Sequence, residues 1–434
     1  MNSPIWKSVP LSSCIDKVID FRGKTPKKIG MEWGNGSIRA LSANNVKQGY
    51  IDFKRECYLA SEELYDAWMT KGDCSKGDIV FTMEAPLGNV ALIPDDNKYI
   101  LSQRVILLKP NESVLSEYLF HFMSSESFQN ELNANATGST AKGIKQTRLV
   151  KLKVTLPPAE EQQKIAEVLS TVDKKIDLID QKIAETEKLK TGLMQKLFSE
   201  GVGVQDENGD WQPHTEFQDS PFGKIPKCWQ PEILGNILDV ASSKRIKREE
   251  YVDEGVPFYR SKEIIQKSKH LSFTPEIFIS RERFDKISEK FGSPQKGDIL
   301  ISAVGTIGAI YCVQNEEFYF KDGNLLWLRG IDKSELSSEF LECYLRSHTC
   351  QEMLANLSAG SSQSALTIVK LNKLPLIIPT EDEQKMIVSI ISSVSKKINL
   401  LKAQKHENQL LKKGLMQKLL TGEWRVPVEE TEAA

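Results

Sequence analysis

Gly23-Lys24-Thr25 has the ending of a loop that cradles nucleotide phosphates. Such a loop needs a second glycine five residues before Gly23, and Val18 stands there. An adenine methyltransferase would need an Asp-Pro-Pro-Tyr-like run, but Pro157-Pro158 is followed by Ala159. Pro94-Asp95 could open a nuclease motif, yet no Asp/Glu-x-Lys follows at useful spacing within that stretch. Asp173-Lys174-Lys175 fits the fragment but lies in a helical repeat, where surface ion pairing accounts for it. His121, His214, His270, His348 and His406 are far apart, with no H-x-x-x-H pair. The 7 cysteines form no C-x-x-C pair, which argues against a zinc site and a disulfide framework and fits a reducing cytoplasm. No metal site, cofactor or catalytic constellation is expected from these residues.

The other chemistry present is that of phosphates and base edges. Arg22, Lys24, Lys27 and Lys28 form one tight basic cluster. No acid lies between Glu131 and Glu160, a stretch that holds Lys142, Lys145, Arg148, Lys151 and Lys153. Lys244, Arg245, Lys247 and Arg248 form a third cluster, followed at once by Glu249-Glu250. Cations in such clusters suit phosphate oxygens, which position a protein on a duplex without reading its sequence. Base reading in the major groove wants Arg or Lys for guanine and Asn or Gln for adenine. Loop residues of suitable type are Asn44, Asn45, Gln103, Arg104, Ser139, Lys142 and Gln146 in the first half. In the second half they are Tyr259, Arg260, Lys262, Lys321, Ser361, Ser362 and Gln363. Turn formation and ordinary surface solvation are the competing readings of each. The formal net charge of -2 counts against a stand-alone DNA binder, unless the positive charge is local or a partner supplies it.

The elements that would position these residues are duplicated. Leu156–Phe198 and Ile378–Leu420 align without a gap at an offset of about 222 residues. Both copies end in Gly-Leu-Met-Gln-Lys-Leu, at Gly192–Leu197 and Gly414–Leu419. Outside the helical copies the correspondence is weaker. Lys76-Gly77-Asp78 matches Lys296-Gly297-Asp298, Gly138-Ser139 matches Gly360-Ser361, and Trp6 and Trp229 each open a half. A scaffold copied closely while its domains diverge fits two readers of different half-sites. Faster drift of surface-rich domains gives the same pattern.

Ile165, Leu169, Val172, Ile176, Ile179 and Ile183 follow alternating four- and three-residue steps, a coiled-coil seam. Ile387, Ile391, Val394, Ile398 and Leu401 repeat it. Each helix of about 40 residues would span about 60 Å and needs a partner for its apolar seam. An antiparallel pair within the chain would put the two domains at opposite ends; pairing between chains is the alternative. The expected organisation is a domain over 1–156, a long helix over 157–200, a linker over 201–223, a domain over 224–378, a long helix over 379–421 and a flexible tail over 422–434. The domains read as mixed α/β. Strands are expected at Ser37–Leu41, Asp78–Thr82, Val90–Ile93 and Val105–Leu108, with a helix at Glu117–Leu132. The second domain is expected to have strands at Val256–Tyr259, Asp298–Ser302, Ala309–Val313 and Leu325–Leu328, with a helix at Ser338–Leu357. No run of about 18 apolar residues occurs, so no membrane span is expected, and Met1–Pro10 lacks the pattern of a secretory signal.

Leu156-Pro157-Pro158 with Glu161-Gln162, and Ile378-Pro379 with Glu383-Gln384, each follow a Gly-Ser segment and open a long helix. This double arrangement resembles the specificity subunits of type I restriction-modification systems, over essentially the whole chain. The second copy departs only in having Thr380 at the place of Pro158. The resemblance implies two target-recognition domains in pseudo-twofold tandem repeat, each reading half of a split DNA target. It further implies that the helices set the unread spacer and hold two adenine methyltransferase subunits, with motor-nuclease subunits completing the complex. S-adenosylmethionine, ATP and Mg would then bind in partner subunits, and this chain would catalyse nothing. The exposed helix faces are the expected docking sites. The Gly-Leu-Met-Gln-Lys-Leu runs would serve either such docking or packing on the opposite domain. The readings of a different kind are a coiled-coil scaffold with protein-binding domains, and the specificity chain of a fused nuclease-methyltransferase.

Overall fold

A computed structural model of the chain describes residues 6–138, 141–221, 223–359 and 365–427. It divides into two units, Met1–Gln181 with Ala403–Ala434, and Lys182–Lys402. Each unit therefore holds one domain, the first part of one long helix and the last part of the other.

In the first unit an antiparallel sheet runs in the order Ile15–Asp20, Val105–Pro110, Ile79–Met83, Leu87–Leu92. Every residue of Ile79–Met83 is buried, because both faces of the sheet are covered. The period-two alternation sends Ile79, Phe81 and Met83 into one core and Val80 into another. A three-stranded sheet, Leu59–Ala60, Ile38–Leu41, Tyr99–Leu101, lies beside it, with the last two strands parallel. Lys7–Pro10 pairs with Lys153–Leu156 and closes the domain.

The second unit repeats this plan. Asp239–Ala241, Leu325–Arg329, Ile299–Ser302 and Ile310–Cys312 form its four-stranded antiparallel sheet. Ile299 and Ile301 face one core and Leu300 another. A second sheet orders Tyr251–Val252, Phe278–Ile279, Val256–Tyr259 and Tyr319–Phe320. Gln230–Ile233 pairs with Pro375–Ile378.

The repeated Lys-Gly-Asp run is a turn that launches the central strand. Gly77 and Gly297 take φ of +86° and +90°, a region that disfavours other residues. The Asp78 carboxylate accepts from Ser75 N at 2.8 Å, and that of Asp298 from Gln295 N at 2.8 Å. Both aspartates therefore precede the strand rather than start it.

The expected helix Glu117–Leu132 is two helices, Ser116–Ser124 and Glu126–Ala134. Ser125 breaks it: extended at φ -69° and ψ 150°, it accepts from Phe128 N and caps the second helix. Ser338–Leu357 divides in the same way, into Ser338–Leu345 and His348–Ser358, with Ser347 as the cap. The 201–223 stretch, expected as a linker, holds strands that pair as hairpins, Val204–Gln205 with Trp211–Gln212 and Phe217–Ser220 with Gly223–Pro226. The first residues of the expected tail are packed as well. Gly422 lies against the Trp6 ring, and Arg425 Nε donates to Glu161 Oε2 at 2.7 Å.

The long helices run over Ala159–Leu197 and Glu381–Leu419. The Glu-Gln pair at each start is a fastening. Gln162 accepts from Leu115 N and donates to Ser113 O and Pro157 O. Gln384 does the same with Ser337 N, Glu335 O and Pro379 O. The far end of each helix enters the domain core of the other repeat. Leu419 and Leu420 belong to the first unit's core, and Leu197 and Phe198 to the second's. The Gly-Leu-Met-Gln-Lys-Leu runs thus pack on the opposite domain, each buried leucine contributing about 1.5–3 kcal/mol. Of the seam, Ile165, Leu169, Ile179, Ile183, Ile387, Ile391, Ile398 and Leu401 are buried. Val172, Ile176 and Val394 are half-buried. Within the first unit, Lys412 pairs with Asp173 and Lys405 with Asp180, both at 2.6 Å. Within the second, Lys402 pairs with Glu187 at 2.8 Å.

His121 is buried under the first long helix, its Nε2 at 3.2 Å from Ser170 Oγ. Burial, and then the ammonium of Lys412, push its pKa down to about 3. Asp173, 4.0 Å from the ring, does not offset this because its charge is matched by Lys412. An unfolded histidine titrates at about 6.5. Below that pH the unfolded chain binds a proton that the folded one refuses, so stability falls as pH drops from about 6.5 towards 3. The loss attributable to His121 is about 2 kcal/mol at pH 5. Urea unfolding of wild type and His121→Leu at pH 7 and pH 5 should show the variant losing less on acidification by that amount. Equal losses would contradict it.

Candidate nucleic-acid interface

In the first unit the strands ending at Leu41, Met83 and Leu101 finish at one end, where those starting at Leu87 and Val105 begin. Backbone hydrogen bonds tie the loops there together. Ala43 N donates to Gln103 O at 3.2 Å, Met83 N to Arg104 O at 2.8 Å, and Ile144 N to Met83 O at 3.1 Å. Gly143 bridges to both Glu84 and Thr137. A Cβ at Gly143 would lie 3.2 Å from that of Glu84, so the close approach favours glycine. Asn44, Gln103, Arg104, Lys142 and Lys145 are thereby brought to one exposed end from three loops. Gln146 is half-buried at the start of the helix Gln146–Leu149, whose N-cap is Lys145.

Arg22–Lys28 follow the strand that ends at Asp20, opposite Ile106 and so at the same end. Several of these cations are already engaged. Arg22 makes a two-pronged pair with Asp20, at 3.0 and 2.7 Å. Lys24 donates to Ala67 O and Trp68 O at 2.9 and 3.0 Å, closing the end of the helix Glu62–Trp68. Lys28 donates to Gly23 O at 2.6 Å, while Lys27 is exposed. Asn45 does not present its side chain to a ligand. It is 2% exposed, and its Oδ1 accepts from Ser42 Oγ at 2.9 Å, because the turn at Ser42–Asn45 folds it inward.

The second unit builds the matching end. Lys321 N donates to Tyr259 O, Ala303 N to Asn324 O and Leu366 N to Ala303 O, each at 2.9 Å. Val304 bridges to Ala365. Arg260, Lys321 and the turn over 303–308 therefore share one end with the basic run that follows Ala241. There Arg245 and Lys247 are exposed, and the Lys244 ammonium lies 5.2 Å from the Phe291 ring. Arg260 and Lys262 both pair with Glu276, at 2.7 and 2.8 Å, and Lys262 followed by Arg260 hold that carboxyl down to about 2. Tyr259 is corrected from surface to core: it is 5% exposed and stacked on Phe318 at 4.6 Å. Ser139, Ser361, Ser362 and Gln363 lie outside the described residues.

Sequence reading missed Glu84, Val304 and Asn324. The signal was present, since Glu84 and Val304 each stand six residues beyond the aspartate of a Lys-Gly-Asp turn. It also missed that His214, Cys228 and Glu383 bring possible ligand atoms within 4.8 Å of one another. The Glu383 carboxylate there accepts from Val202 N (2.8 Å), Gly203 N (3.2 Å), His214 Nε2 (3.0 Å) and Trp229 Nε1 (2.6 Å). With both oxygens and His214 Nε2 so occupied, the group acts as a hydrogen-bonded hub. Glu161 is its counterpart, accepting from Trp6 Nε1 at 3.2 Å and from Arg425.

The family model described as type I restriction modification DNA specificity domain matches residues 6–188 and 226–410. The type I restriction enzyme MjaVIII specificity subunit of Methanocaldococcus jannaschii is 27% identical over 412 residues, covering 90% of each chain. The crystal structure of the S subunit of a type I system from M. genitalium superposes with a TM-score of 0.54 at 17% identity, covering 96% of this chain and 97% of that one. A chain from a structure concerned with assembly and conformational transition of the type I R-M system gives 0.59 at 21%, covering 98% and 100%. These two likenesses are of fold. The two family matches each take in one domain and most of its long helix, the same division that the 222-residue repeat marks. The chain belongs to the type I restriction-modification DNA specificity family.

Proposed function

We propose that this chain is the DNA-reading subunit of a type I restriction-modification complex, each domain reading one half of a split target. The observation that carries this is the loop end built twice. In each domain separate loops are hydrogen-bonded into one exposed polar end on a sheet buried on both faces. A rigid sheet presenting variable loops is what base reading requires. The relatives named above are specificity subunits of such systems.

The long helices serve as the ruler. The Lys412–Asp173, Lys405–Asp180 and Lys402–Glu187 pairs support an antiparallel coiled coil, since partners on one helix descend as those on the other ascend. Exposed leucines at repeat-related places, Leu178 with Leu400 and Leu189 with Leu411, suit docking of two copies of an adenine methyltransferase. Motor-nuclease subunits complete the complex. S-adenosylmethionine, ATP and Mg belong to those partners, which act in the cytoplasm and share the task of clamping the backbone.

A gel-shift titration of the assembled methyltransferase complex tests this. Specific duplex should bind at least about a thousandfold tighter than random duplex, with affinity falling steeply as salt rises. A stable complex with no sequence preference would favour a protein-binding scaffold.

A further inference from the structure

The two loop ends have the same backbone and different chemistry at their centre. Met83 N donates to Arg104 O as Ala303 N donates to Asn324 O, and Glu84 bridges to Gly143 as Val304 bridges to Ala365. Arg104 and Asn324 therefore occupy one equivalent place, and Glu84 and Val304 another. In the first domain both are charged, about half exposed, and 3.6 Å apart. In the second, Val304 is 40% exposed, and among the described residues the Asn324 side-chain amide makes no hydrogen bond.

We propose that these pairs read opposite kinds of base pair: Glu84 with Arg104 a G·C pair, and Val304 with Asn324 an A·T pair. The inference rests on the reading of the loop ends as the DNA-facing surface. Arginine presents two donors to guanine O6 and N7, and a carboxylate accepts from the cytosine amino group. Asparagine matches adenine N6 and N7, and an apolar side chain meets the thymine methyl. A carboxylate at the middle of a basic loop end is repelled by phosphate, so it belongs over base edges rather than over the backbone. Arg104 is also held at φ +66°, a conformation disfavoured outside glycine, which fixes where its side chain starts. Val304 stands 40% exposed at the start of the turn, and a thymine methyl would cover its outward side.

The test is the N6-methyladenine motif written in host DNA by the chain co-expressed with its adenine methyltransferase. Arg104→Ala should relax one G·C position in one half-site, by about tenfold or more in discrimination. Asn324→Ala should relax an A·T position in the other half-site, distinct from the methylated adenine. If Arg104→Ala abolishes methylation altogether, Arg104→Gln, which keeps a polar head on a shorter stem and pairs with adenine rather than guanine, should shift that position from guanine towards adenine. A motif unchanged in all these variants overturns the inference, as does an even loss of methylation at every site in Arg104→Gln or Asn324→Ala, which marks a phosphate contact. A wild-type complex that writes no defined motif would overturn the functional reading itself.

Discussion

Replacing Glu383 with alanine is expected to destabilise the chain by about 3–5 kcal/mol. The carboxylate is 0% exposed and accepts two backbone N–H groups, the His214 ring and the Trp229 indole. Its removal leaves two buried donors, Gly203 N and Trp229 Nε1, and two partly buried ones without their acceptor, and each unpaired buried donor costs about 1–3 kcal/mol. The donors come from the stretch after the first helix and from the start of the second domain, so the loss unfastens the hairpin stretch from the unit. Glu381, two residues earlier, is the control. It is exposed and pairs with Lys385 at 2.7 Å, so Glu381→Ala should leave the urea midpoint close to that of the wild type. Urea denaturation followed by tryptophan fluorescence separates the two. Similar midpoints for both variants would contradict the role given to the hub.

The second large effect is on geometry. Four residues inserted at matched places in both long helices, one turn each, should lengthen the ruler by about 6 Å. Base pairs rise by about 3.4 Å along each strand, so the unread spacer of the target should grow by one or two base pairs. The half-site sequences should not change, because no loop-end residue is touched. Sequencing of methylated host DNA reads both features at once. An unchanged spacer in a complex that still methylates would remove the helices from that role.

Much of this architecture was legible in the residues because it is local or repeated. The 222-residue offset exposed the duplication, and three-four spacing marked the seam from Ile165 to Ile183 and from Ile387 to Leu401. The Glu-Gln pairs were visible as markers, but not as fastenings, since Leu115 and Ser337, whose N–H groups they bind, are about fifty residues away. A similar distance hid the burial of Tyr259, which is settled by Phe318, the residue before the strand Tyr319–Phe320. Ser125 and Ser347 were invisible as breaks because a serine within an apolar helical pattern ends a helix only when its backbone turns extended. At the loop ends, composition pointed to basic residues, whereas several of these are spent on internal partners such as Asp20 and Glu276. Glu84 and Val304 were legible from their shared spacing to the Lys-Gly-Asp turns, whereas the equivalence of Asn324 with Arg104 rests on strand register.

The most direct measurement of the central claim is exchange of one domain. The first domain would be replaced by that of a relative with a different target, leaving both long helices intact, and the methylated motif sequenced after co-expression with the methyltransferase. The account predicts a split motif in which one half changes, while the other half and the spacer length stay as they were. A motif unchanged by the exchange, or altered in both halves together, would contradict two independent readers on one ruler.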